Sequence, residues 1–112
     1  MKGMGSGEPR PLDDRALVRA LKALADPTRF RMVQEIAAAG ELSCGQVAEL
    51  FDVSQPTVSH HLNVLVDAGV LCVRTEGKHR FTSVNHPLLA AVSRLLATRL
   101  GPRRERPTRV RA

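Results

Sequence analysis

Between Ser54 and Asn63 the chain sets Ser54, Gln55, Thr57, Ser59, His60 and Asn63 around two apolar residues, Val58 and Leu62, without one Asp, Glu, Lys or Arg. Amide side chains pair with adenine edges, and hydroxyls and neutral imidazole donate or accept, so this set has the chemistry to read base-pair edges in a groove. A solvated helix face would use the same residues. Farther on, Arg74, Lys78, His79 and Arg80 gather around Gly77. Cations placed so suit phosphates or the minor groove, where they position a protein rather than specify sequence; exposure without contact is the other reading. His61, three residues after Val58 and next to Leu62, belongs at the core's edge.

The remaining reactive side chains are sparse. Zinc needs three or four converging N, S or O ligands, and the four histidines, His60, His61, His79 and His86, suggest no such set. No metal and no other cofactor is expected. Cys44 falls in the first turn of a helix, where the helix dipole favours thiolate, and Cys72 falls on a strand. The pair could answer an oxidant or a soft metalloid if their Cα atoms came within about 7 Å, or they are two unconnected free cysteines. Nothing supports catalysis: there is no nucleophile-base-orienter set, no paired carboxylates at useful spacing and no Gly-rich phosphate loop.

These residues need elements to hold them. Ala16, Leu17, Ala20, Leu21 and Leu24 share a helical stripe in a first helix from Leu12 to about Ala25. Asp26 and Pro27 start a second helix to about Ala39, with Phe30, Val33, Ile36 and Ala37 inward and Gly40 ending it. Ser43 with Gln46 is a capping-box pattern, opening a short third helix with Val47, Ala48 and Leu50 inward. After LFDVS, Ser54 caps a fourth helix with Val58, Leu62, Leu65 and Val66 as its stripe, stopped by Gly69. Two helices joined by so short a turn form a helix-turn-helix.

VLCVR and RFTSV, separated by TEGKH, then form a β-hairpin, a wing beside the fourth helix. Asn85 or His86 caps a fifth helix that begins at Pro87, carries Leu88, Leu89, Val92, Leu95, Leu96 and Leu100 on one side, and stops at Gly101 and Pro102. The fold class expected is mainly α with a small β-hairpin, a winged helix-turn-helix of five helices and a two-stranded wing inserted before the last helix. Both flanking helices carry apolar stripes larger than so small a core covers, which makes Leu17, Leu21, Leu89, Val92, Leu96 and Leu100 candidates for a homodimer interface; packing within one chain is the alternative.

With 112 residues, three Phe and no Trp or Tyr, the chain has room for one aliphatic-cored domain. That domain is expected over 12–101, between disordered tails at 1–11 and 102–112. The net charge of +6 is mostly in the tails: residues 103–112 hold five Arg and one Glu, residues 1–11 hold Lys2, Glu8 and Arg10, and only +1 remains between them. Bulk charge therefore says little about the domain, although a basic tail adds salt-sensitive affinity for a polyanion. Two cysteines and no long apolar run fit a cytoplasmic chain, with neither a disulfide framework nor a membrane span.

LKALADPTRFRMVQEI, ELSCGQVAELFDVSQPTVSHHLNVLVDAGVL and RTEGKHRFTSV stand in order between residues 21 and 84, and on them the chain resembles the ArsR/SmtB repressors over roughly residues 14–100. The resemblance implies pairing of the first and last helices across a two-fold axis, double-stranded operator DNA as partner, and repression until a metal or other signal releases it. In a dimer two reading helices about 34 Å apart match one turn of B-DNA, so an imperfect palindrome is the expected target. A winged helix used for protein contact is the alternative. The family's metal sites are not matched: Ser43 and Gly45 occupy the ligand positions of its Cys-x-Cys pair with Cys44 between them, and residues 87–100 contain no Asp, Glu, His or Cys.

Overall fold

The computed structural model describes residues 12–102; the expected tails at 1–11 and from 103 onward lie outside the described residues. The elements in chain order are α1 (Asp14–Leu24), α2 (Pro27–Ala39), β1 (Leu42–Ser43), α3 (Cys44–Phe51), α4 (Gln55–Asp67), β2 (Leu71–Glu76), β3 (His79–Val84) and α5 (His86–Leu100).

Side chains close the helix starts. The carboxylates of Asp13 and Asp26 accept from the amides of Ala16 and Arg29, so α1 begins at Asp14 rather than Leu12. Ser43 makes both halves of a capping box with Gln46, at 3.2 and 2.8 Å. Asn85, not His86, caps α5, accepting from the Leu88 amide, while its own amide donates to the Gly69 carbonyl and ties the start of α5 to the end of α4. Gly69 itself sits at φ +86°, a left-handed conformation that would strain any side chain, and a Cβ there would press on the Leu88 Cδ1 at 2.9 Å. In the wing, Gly77 at φ +61° takes the first central position of a two-residue loop, where the backbone must turn left-handed.

The core gathers Leu17, Ala20 and Ala23 from α1, Met32, Val33 and Ile36 from α2, Val47 from α3, and Val58, Leu62 and Leu65 from α4. Val70, Leu71 and Val84 close it under the wing, and Val92 enters from α5. Several sequence expectations shift. Met32, not Phe30 or Ala37, is sunk on α2, and Phe30 is 50% exposed. On α3 only Val47 is fully buried, and Leu50 is exposed. The reason is geometric: eight residues make barely two turns, so one side chain reaches the core and the rest of the apolar stripe slides outward. Leu17 and Val92 are buried within the protomer itself, which removes them from the candidate dimer surface.

The wing is larger than a hairpin. Leu42 and Ser43 pair antiparallel with Thr82 and Phe81, making a three-stranded sheet of order β1-β3-β2. The Thr82 hydroxyl, buried on β3, donates to the Leu42 carbonyl at 3.0 Å. Two residues are too few for alternation to show, so a strand of this length is decided by its partner. The third strand also separates the cysteines. Cys72 on β2 pairs with Ser83 on β3, whereas Cys44 follows β1 on the other side of β3. Two strand spacings put them roughly 10 Å apart before any offset along the strands, beyond the limit for a disulfide within one chain. Both are free thiols, Cys44 half-buried and Cys72 exposed.

Candidate nucleic-acid interface

The reading helix is positioned from both ends. Asp52, at φ +51°, ends α3 in the left-handed conformation and turns the chain toward α4. Ser54 caps α4, its hydroxyl accepting from the Thr57 amide and donating to the Thr57 hydroxyl at 3.0 Å. With Val58, Leu62 and Leu65 held in the core, the opposite face is fixed outward. Gln55, Thr57, His60 and Asn63 are exposed there. Ser59 is half-buried and its hydroxyl lies 3.3 Å from the Cys44 thiol, which ties the first turn of α3 to the reading helix. His61 is half-buried at the core's edge, its Nδ1 3.5 Å from an Arg29 guanidinium nitrogen.

The wing cations divide. Arg80 donates to the Asn63 side-chain oxygen at 3.4 Å, so wing and helix meet at a residue expected to contact bases. Lys78 and His79 are exposed at the tip. Arg74 is committed elsewhere. Its guanidinium spans both oxygens of Glu41, at 2.9 Å each, bonds Glu76 at 2.8 Å, and lies 4.6 Å from the centre of the Phe81 ring. Glu41 is correspondingly held below the usual carboxylate range by the hydrogen bonds from Arg74, and Arg74 is pushed further up. With two carboxylates upon it, Arg74 braces the wing against the segment before α3, a pairing the sequence reading did not foresee, while its side chain stays half exposed. Glu41 lies 33 residues away in the chain, and no local signal announces it.

A groove of about 600 Å³ runs between these parts. Gln55 and Ser59 line one wall, Lys78, His79 and Arg80 the other, and Cys44, Gly45, Gln46 and Glu49 of α3 the floor and rim. Sequence reasoning found the two walls but not the floor, since α3 residues selected for capping also face outward. Among the described residues no group of three or more His, Cys, Asp or Glu side chains gathers where a metal ion could be held, and no helix is long and apolar enough to cross a membrane. The arrangement suits hydrogen bonding to an extended polyanion.

Comparison with known proteins agrees. A helix-turn-helix domain model matches residues 24–74. The chain is 38% identical over 68 residues to the transcriptional repressor SdpR of Bacillus subtilis strain 168, covering 61% of this chain and 74% of that protein. It is 36% identical over 76 residues to an arsenical resistance operon repressor of Staphylococcus xylosus, covering 68% and 72%. Among solved structures, an ArsR family transcriptional regulator superposes with a TM-score of 0.69 at 25% identity, over 81% of this chain and 93% of that one. The resemblance read from the motifs is thereby confirmed: this chain belongs to the ArsR family of winged helix-turn-helix proteins and is a DNA-binding transcriptional regulator, not an enzyme.

Proposed function

We propose that the protein is a homodimeric repressor that binds an imperfect palindromic operator in the cytoplasm. The observation that carries the reading is the uncharged, outward face of α4, where Gln55, Thr57, His60 and Asn63 are exposed beside a groove that Gln55 and Ser59 share with Lys78, His79 and Arg80. Such a face offers hydrogen bonds for base edges, while Lys78, His79 and Arg80 supply sequence-independent attraction to phosphates. A protein-binding winged helix would set apolar side chains there instead. DNA binding in this reading draws on side chains alone and needs no metal or cofactor. Repression follows the function named for the relatives.

Dimerisation is supported by α5, which buries only Val92 although it carries five further leucines. Leu89, Leu95 and Leu96 stay half-buried and Leu100 is 77% exposed; with Leu21 of α1 they are the apolar surface left for a second copy.

The test is selection of bound sequences from a random DNA pool by the purified protein at physiological salt, with sedimentation of the free protein alongside. Enrichment of inverted half-sites about one helical turn apart, roughly 34 Å, together with a dimer mass, is the expected outcome. A monomer that enriches no sequence overturns the reading in favour of a protein-binding module.

A further inference from the structure

A second cleft, of about 280 Å³, opens at the C-terminal end of α4, about one turn beyond the reading residues. Three helices build it: Arg19 and Lys22 come from α1, Arg29 from the first turn of α2, and Val64, Asp67 and Ala68 from the end of α4. The three cations face a single carboxylate on the lining, that of Asp67, and among the described residues none of the three forms an ion pair within 4 Å.

Two of the cations are already held in place. Arg19 donates to the Asp67 carbonyl at 2.8 Å, and Arg29 donates through Nε to the Ala23 carbonyl at 2.7 Å. A guanidinium has five N–H groups, so each arginine keeps donors beyond the bond that anchors it. Asp26 accepts from the Arg29 backbone amide and its carboxylate also feels the Arg29 charge, but no ion pair within 4 Å forms between them among the described residues. Cations fixed in this way lose little entropy on meeting a ligand.

We propose that this cleft binds a small organic anion, whose phosphate or carboxylate head lies among Arg19, Lys22 and Arg29 and whose apolar part rests on Val64 and Ala68. The site adjoins the DNA-reading element without overlapping it. Arg29 reaches His61 of α4 at 3.5 Å, and His61 is followed within two residues by Asn63 of the reading face. An anion that draws Arg29 toward itself competes with that contact, which gives the ligand a route to the set of α4. The cleft is argued from the free protein and stands apart from the operator reading.

The experiment is two-dimensional amide NMR of the free, DNA-less protein, titrated with inorganic phosphate or with acetate while sodium chloride holds the ionic strength constant. Saturable shifts confined to the amides around Lys22, Arg29 and Ala68 are expected, and whichever anion saturates first identifies the head group. Lys22→Gln, at an exposed position, should weaken that binding roughly tenfold, as loss of one charge-assisted hydrogen bond does. Arg94→Gln, the same charge change on α5 away from the cleft, should leave it unaltered. Shifts that do not saturate, or that are equal in the two variants, overturn the proposal and leave the cations as caps for helix carbonyls. Shifts centred on Gln55 to Asn63 and the wing overturn it as well, assigning the anion to the DNA interface.

Discussion

Helices α4 and α5 are similar in length, 13 and 15 residues, and both carry a stripe of leucine and valine, yet they use it differently. In α4 the stripe is consumed by the protomer: Val58, Leu62 and Leu65 are buried, and what remains outside is polar. In α5 a single residue, Val92, is buried, and the leucines on either side lie part-way out. The first helix is therefore complete within one chain and presents a surface for hydrogen bonding. The second is incomplete within one chain and presents a surface for burial. Equal hydrophobic patterning in sequence thus covers two roles, separated only by how much of the stripe the rest of the fold can reach.

The contrast can be broken most severely from the α4 side. Leu65→Ala, at a fully buried position, should cost about 2–5 kcal/mol of stability, seen as a large fall in the urea midpoint. Asn63→Ala, on the opposite face of the same helix, should leave that midpoint unchanged and cost about 1–3 kcal/mol in affinity for the selected operator, measured by fluorescence anisotropy. A matching loss of stability would show that the polar face is structural.

The α5 side is sharpened by Leu100→Lys. Because Leu100 is 77% exposed in the protomer, thermal stability of the monomer at high dilution should hold, while self-association weakens roughly tenfold, about 1.4 kcal/mol, in sedimentation equilibrium. Unaltered association would place the interface elsewhere. Smaller again is Lys78→Ala at the wing tip, expected to lower the slope of log affinity against log salt by about 1 without changing the preferred sequence.

The least effect belongs to the wing brace. Glu41 is held below its usual value of 4.5 by Arg74, so its contribution is complete above that value and is lost as pH falls through the lower folded one. Glu41→Gln should lower Tm slightly near neutrality and leave it almost unchanged well below pH 4.5, so that the fall of Tm on acidification is flatter in calorimetry.

Local chemistry made much of this legible in advance. The caps at Asp26, Ser43 and Ser54, the stop at Gly69 and the bend at Gly77 each depend on one or a few adjacent residues, and each stands where the sequence placed it. The outward polar face of α4 was legible for the same reason, since three fixed apolar positions on a helix determine which residues point away. Phe30 and Leu50 failed that logic because both sit on stripes broader than the core they face.

What the sequence by itself determined, then, is the order and limits of the helices, the hairpin and the uncharged face of α4, because backbone capping and helical period act over three or four residues. Only the tertiary structure decided that Arg74 pairs with Glu41 and Glu76, that Leu42 and Ser43 add a third strand across β3 from Cys72 and so keep the cysteines apart, and that Arg19, Lys22 and Arg29 converge at the C-terminal end of α4. Contacts such as Arg74 with Glu41, 33 residues apart, are made when elements dock, and docking is set by the shape of the shared core rather than by any short stretch of chain.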